Sequence, residues 1–222
     1  MLAAPCPPLA HAAALPAIRA PLHADFDGDG RRDVVTIRVA RRAPLSCGVL
    51  LAVRTRHATD AARIYYTREN KFVTAGPFAR AATFPFINGA YVLDRRRGLD
   101  VVVTAWEGAS NSFLQLFAWR HGRVVRLRLP GNEEGLSWGG FAAAYGGIDC
   151  DGGMIRITSA AYVRRTRWIV SRAFYAVGER SLRLVSSRTF RGGVRLTERF
   201  SHELGGRFPL ASCRGVRGRR QL

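Results

Sequence analysis

The chain has 222 residues, a formal net charge of +19 and 47% hydrophobic residues. That length and apolar content suit a globular protein with a real core and exclude a disordered chain. No apolar run approaches the ~20 residues of a membrane span, so no transmembrane segment is expected.

Lys71 is the only lysine, so arginine carries nearly all of the positive charge. Together with abundant Ala and Gly, this ratio is what GC-biased codon usage produces, and that explanation outweighs a dedicated polyanion site. No specific nucleic-acid partner is expected. So basic a surface still attracts nucleic acid, anionic glycans or anionic lipid at low salt.

Residues 1–22 are rich in Ala and Pro, and their first charge is Arg19. Ala10-His11-Ala12 has the small-x-small form of a signal-peptidase site, but the basic and apolar regions that should precede it are largely missing. Two readings stand: a truncated signal-peptide remnant with the mature chain starting near Ala13, which implies secretion, or a disordered tail.

The most informative stretch is Ala24-Asp25-Phe26-Asp27-Gly28-Asp29-Gly30-Arg31-Arg32-Asp33. Calcium takes 6–8 oxygen ligands. A short loop supplies many of them if the side chains of Asp25, Asp27 and Asp29 converge. The backbone carbonyl of Arg31 and the carboxylate of Asp33 complete the set. Gly28 and Gly30 allow the tight turn, because glycine reaches positive φ without steric cost. An EF-hand would need a bidentate Glu at position 12 of the loop, and Thr36 stands there. It would also need flanking helices, whereas Val34-Val35-Thr36-Ile37-Arg38-Val39 reads as a strand. An Asp-x-Asp phosphatase nucleophile would need a buried apolar strand before the first Asp, and Pro21-Leu22-His23-Ala24 is not one. The remaining alternative is an acidic turn without a cation.

The pattern D-x-D-G-D-G-x-x-D followed by a strand resembles the FG-GAP/VCBS repeat, the calcium-loop blade of integrin-α-like β-propellers. The resemblance implies a mainly β fold of antiparallel sheets in about three propeller-like units. Three blades are too few for an ordinary closed propeller, so an incomplete or distorted propeller, or two packed sheets, is expected. It also implies a structural Ca2+ at Asp25, Asp27, Asp29, Arg31 and Asp33, and a secreted protein of adhesion or recognition.

The β-repeat domain is expected over 23–214, in units of about 23–88, 89–146 and 147–214, followed by a mobile basic tail at 215–222. In the first unit, strands are expected at 33–39, 46–54 and 62–67. The second echoes the first at an offset of 67 residues, with Asp33-Val34-Val35-Thr36 aligned on Asp100-Val101-Val102-Val103. Asp27 then falls on Asp94, Asp25 on Val92, Asp29 on Arg96 and Gly30 on Arg97, so arginine replaces ligands where a cation would have stood. A hairpin follows at 112–120 and 123–129, with a turn at His121-Gly122 and its Arg residues facing outward. The third unit opens on Asp149 and Asp151, two carboxylates that leave too few oxygens for a good metal site. Strands follow at 154–159, 167–177 and 181–190.

Cys6 would leave with a signal peptide. Among Cys47, Cys150 and Cys213, one pair is then expected in an oxidising compartment, its identity open. Trp106, Trp119, Trp138 and Trp168 are expected in packing rather than on sugar-stacking platforms, and 106–111 is the loop to inspect first for a ligand. No nucleophile elbow, P-loop or dinucleotide fingerprint occurs, and no catalytic residue is expected. The leading function is a secreted, non-catalytic, calcium-stabilised β-repeat protein whose partner is a cell-surface glycan, another polyanion or a protein. The alternatives are an Arg-rich polyanion- or glycan-binding module and a hydrolase with an unrecognised site.

Overall fold

In the computed structural model the described residues are 6–40, 43–66, 85–107, 111–132, 135–141, 144–163, 167–204 and 209–218. Among the described residues helix is confined to a 3-10 turn at Leu9–Ala14 and three short α segments, α1 (Leu45–Gly48), α2 (Val194–Arg199) and α3 (Ser201–Leu204). Most of the other described residues lie in antiparallel sheet, as the runs of β-branched residues between Gly, Pro and Asp turns require.

Strands β1 (Leu22–Ala24), β2 (Asp33–Val39), β3 (Val49–Arg54) and β4 (Thr59–Arg63) form a four-stranded sheet in sequence order. Strands β5 (Phe86–Tyr91), β6 (Asp100–Glu107), β7 (Asn111–Arg120) and β8 (Arg123–Leu127) make a second meander of the same layout, in which β8 pairs with β7. This meander belongs to a ten-stranded sheet. The sheet continues through β9 (Leu136–Phe141), β10 (Ala144–Asp151), β11 (Met154–Val163), β12 (Arg167–Val177) and β13 (Leu182–Gly192), and β14 (Gly215–Arg217) closes its other edge on β5.

The two sheets pack face to face. Val35, Ile37, Val49, Leu51 and Val53 of the smaller sheet share one core with Val101, Val103 and Phe117 of the larger. Each such side chain contributes about 1.5–3 kcal/mol on full burial. Two polar contacts fix how the sheets sit. The buried Gln115 amide donates to Tyr65 O at 2.7 Å and accepts from Tyr65 N at 2.9 Å. The Asp60 carboxylate accepts from Val124 N at 2.8 Å.

Strand β3 is buried at five successive residues, Val49 to Val53. A continuous apolar run is what a strand covered on both faces needs. The cover on the second face is the 3-10 turn, where Ala12 and Leu15 pack on Leu50, Ala52 and Ala61. The stretch expected to be a leader remnant or a tail therefore packs on the sheet over residues 9–18, and Ala17 bridges to Arg38. Cys6, expected to be lost with a leader, is bonded to Cys47, and Cys150 is bonded to Cys213. The single pair expected among the last three cysteines is thus corrected to two pairs.

Other expectations also change. The boundary at 146/147 falls inside β10, and β10 to β13 run as long hairpins without the eight-residue loop of the first two meanders. There are two matched units, and the third region is built differently. Residues 215–217, expected in a mobile tail, pair with β5, and Gly218 N donates to Asn88 O. The reason is that β5 would otherwise present unpaired backbone at a sheet edge. Residues 45–48 form α1 rather than the start of a strand.

Candidate metal centre

Residues 25–32 connect β1 to β2, and side-chain oxygens of the loop itself hold its shape. Asp25 accepts from Gly28 N at 2.8 Å through Oδ1 and from Gly30 N at 3.1 Å through Oδ2. Asp27 Oδ1 accepts from Asp29 N at 3.1 Å, and Asp29 Oδ1 from Arg31 N at 2.8 Å. These are Asx turns, the local bonds that make Asp a turn residue. Gly28 and Gly30 take φ of 83° and 85°, the left-handed region where a Cβ is strained. Asp33 opens β2, and its buried Oδ2 accepts from Phe26 N at 2.7 Å and Asp27 N at 3.1 Å. Burial raises the Asp33 carboxyl above its ordinary range, and the two amides pull against that.

The result is a group of carboxylate oxygens, one each from Asp25, Asp27 and Asp29, all within 4.8 Å of one another. Asp33 lies outside that group, and Arg31 is exposed at the loop's end. Among the described residues no Lys or Arg is within ion-pair distance of the three. His57 Nε2 stands 3.9 Å from Asp29 Oδ2.

Residues 92–99 form the corresponding loop between β5 and β6. The strand pairs Leu22–Val35, His23–Val34 and Ala24–Asp33 recur as Gly89–Val102, Ala90–Val101 and Tyr91–Asp100, each residue 67 positions on. The loop bonds recur at the same offset. Asp94 Oδ1 accepts from Arg96 N at 2.8 Å, as Asp27 does from Asp29. Asp100 accepts from the Leu93 amide, as Asp33 does from Phe26. Phe26 and Leu93 are both buried plugs beneath their loops.

The two loops also touch. Leu99 N donates to Asp25 O at 2.8 Å. A Cβ on Gly28 would lie 2.7 Å from Arg97 Cβ, and one on Gly98 would lie 2.6 Å from Phe26 O, so both positions need glycine for this approach. The loops form part of the joint between the two sheets.

The expected replacement of ligands by Arg96 and Arg97 needs correction. The Arg96 guanidinium reaches Glu179 at 2.5 Å and stands 4.0 Å from Asp94, and Arg97 meets the first loop through its Cβ and backbone. The cation between the carboxylates is Arg120, at the end of β7. Its Nη2 is 2.7 Å from Asp94 Oδ2 and 3.6 Å from Asp100 Oδ1, and its side chain is only 7% exposed. Arg120 was expected to face outward. Two carboxylates, Asp94 and Asp100, draw the side chain inward at that end of the strand.

Asp100 is pushed up to about 7, by burial first and by Asp94 second, against the pull of Arg120, the Leu93 amide and Arg96. With one proton on Asp100, the trio of Asp94, Arg120 and Asp100 is neutral. An unfolded Asp titrates near ~4, so between about pH 4 and 7 the folded chain holds a proton that the unfolded chain has lost. The stability from this group is complete below ~4 and falls as pH rises through the folded value. At ~1.4 kcal/mol per pH unit the loss is on the order of 4 kcal/mol at most. Asp100→Asn keeps an acceptor for the Leu93 amide and is expected to flatten the slope. Urea unfolding of parent and variant at pH 5 and pH 8 checks this, and equal slopes in the two chains would contradict it.

Asp149 and Asp151 sit on β10 and are already engaged. Arg156 approaches them at 3.6 and 3.2 Å, and Asp149 Oδ1 accepts from Ser212 N at 2.8 Å. All four tryptophans pack inward: Trp106 against Phe113, Trp119 against Phe26, Trp138 in the core around Leu114 and Leu136, and Trp168 among Tyr145 and Tyr162. Residues 108–110 of the loop singled out for a ligand lie outside the described residues. No protein-family profile, curated protein or solved structure matches the chain.

Proposed function

We propose that the chain is a secreted, non-catalytic β protein in which Ca2+ held by the 25–33 loop pins the joint between the two sheets, and that it serves adhesion or recognition at a cell surface. The observation that carries this reading is the contrast between the two loops. They share strand register and backbone bonds, yet one pair of carboxylates has a buried guanidinium, while Asp25, Asp27 and Asp29 converge with no Lys or Arg among the described residues to neutralise them. A hard divalent cation is the chemistry that such oxygens take. Asp25, Asp27 and Asp29 would supply side-chain oxygens, with the Arg31 carbonyl and Asp33 completing the shell. The D-x-D-G-D-G-x-x-D pattern and the four-stranded meander that contains it support an FG-GAP/VCBS-like unit. Two disulfides support an extracellular location. No helix among the described residues is long and apolar enough to cross a membrane. In a terbium(III) luminescence titration with calcium competition, the parent is expected to bind one ion and Asp27→Ala/Asp29→Ala none. A parent that binds none overturns the reading.

The exposed strand β13 favours a second reading, a polyanion- or glycan-binding surface. It carries Arg183, Arg188 and Arg191, all exposed, at the outer edge of the larger sheet. Binding to heparin that falls steeply with salt, and that weakens in Arg183→Ser/Arg188→Ser/Arg191→Ser, is the expected result on that reading. Salt-independent retention would remove it.

A further inference from the structure

We infer that the 92–99 loop is a converted metal loop whose resident cation is the Arg120 guanidinium, so that the paired loops hold one exchangeable positive charge and one fixed one. This builds on the calcium reading of the first loop.

The argument starts from what the two loops share. Strand register, loop length, the buried plug and two backbone-to-carboxylate bonds all recur at a constant spacing of 67 residues. Two independently built turns have no reason to agree in all of these, so the loops are copies of one structure. They differ in ligands and charge. Val92 stands where the first loop has Asp25, and Arg96 where it has Asp29. The two carboxylates that survive, Asp94 and Asp100, are the two that Arg120 contacts. A buried carboxylate pair without a counter-charge is costly, and removing one partner of a buried ion pair leaves the other uncompensated. Loss of the two ligands and gain of Arg120 therefore belong together.

Among the described residues of the first unit no Arg or Lys takes the place of Arg120. By strand register Arg54, opposite Val34, matches Phe117, opposite Val101, and the position three residues further on holds His57, an exposed side chain 3.9 Å from Asp29 Oδ2. Arg120 in turn fits its place as a tethered charge. Guanidinium does not lose its proton in a protein. Its Nη2 faces both acids, while Nη1 donates to Trp119 O at 2.9 Å. Nε is buried without a partner. The second unit is thus neutralised at any metal concentration, and metal dependence is confined to the first.

The test rebuilds the lost ligands. Val92→Asp/Arg96→Asp/Arg120→Ala is expected to bind one more terbium(III) ion than the parent, with calcium displacing both. A folded triple variant, checked by circular dichroism, with the parent's stoichiometry overturns the inference. If the parent binds none and the triple variant one, the calcium reading of the first loop fails and the Arg120 inference stands. A triple variant that does not fold even in millimolar calcium leaves the decision to Arg120→Met. That variant is expected to unfold at a lower temperature than the parent, with the parent's calcium-induced shift unchanged. An unfolding midpoint equal to the parent's overturns the inference.

Discussion

Millimolar calcium is expected to raise the unfolding midpoint of the chain above its value in EGTA, and Asp27→Ala/Asp29→Ala is expected to abolish the rise. A ligand that binds only the folded state at 100 times its dissociation constant adds ~2.7 kcal/mol. For a chain of this size that is about 5–10 °C. The linkage should be close to complete, because the unfolded chain has no means of holding three carboxylates within 4.8 Å. The effect should also reach beyond the loop. Asp25 belongs to the carboxylate group and, through its carbonyl, receives Leu99 N of the neighbouring loop. The double variant also loses the Asx turns at Asp27 and Asp29 while losing their mutual repulsion. Its midpoint in EGTA can therefore lie on either side of the parent's, and the diagnostic quantity is the difference between EGTA and calcium within each chain. Equal midpoints for the parent in both solutions would make the cluster an acidic turn, and the likeness to FG-GAP/VCBS repeats would lose its main support.

The sequence made the first loop legible because local chemistry builds it. Asp25, Asp27 and Asp29 bond amides two to five residues away, and the glycines fall where φ is positive. The echo at 67 residues was legible for a related reason. Strand pairing preserves the two-residue alternation, so Asp33 and Asp100 had to stay in step with the apolar faces that follow them. Arg120 was not legible. It ends an alternating strand beside a His-Gly turn, and its inward course depends on Asp94, 26 residues earlier, coming to lie beneath it. Nor was the cover on β3. In the sequence 46–54 reads only as a strand, and nothing in the Ala/Pro composition of 9–18 named that segment as the cover of Val49 to Val53. The third region misled because Asp149 and Asp151 imitate half of the motif. In the structure they serve Arg156 and Ser212 at the end of a hairpin.

Removing either disulfide is expected to cost about 4 kcal/mol, on the loop-closure account of cross-links. Cys6–Cys47 closes a separation of 41 residues and Cys150–Cys213 one of 63. That entropy varies only with the logarithm of loop length, so the two losses should be nearly equal. Their structural consequences should differ. Cys150–Cys213 ties β10 to the segment that leads into β14, so Cys150→Ser/Cys213→Ser should expose the β5 edge to amide exchange. Cys6–Cys47 ties the 3-10 turn to α1, above the face of β3 that Ala12 covers. Cys6→Ser/Cys47→Ser should therefore raise exchange at Leu50 and Ala52 and leave β5 protected. Trimming the chain to Ala13 should do the same and add a free thiol at Cys47. Denaturant unfolding measures the cost, and hydrogen exchange with and without reductant locates it. Unchanged stability of the trimmed chain would mean that the 9–14 turn contributes nothing to the cover of β3. A loss matching that of Cys6→Ser/Cys47→Ser would establish this N-terminal segment as part of the folded unit that the first loop depends on.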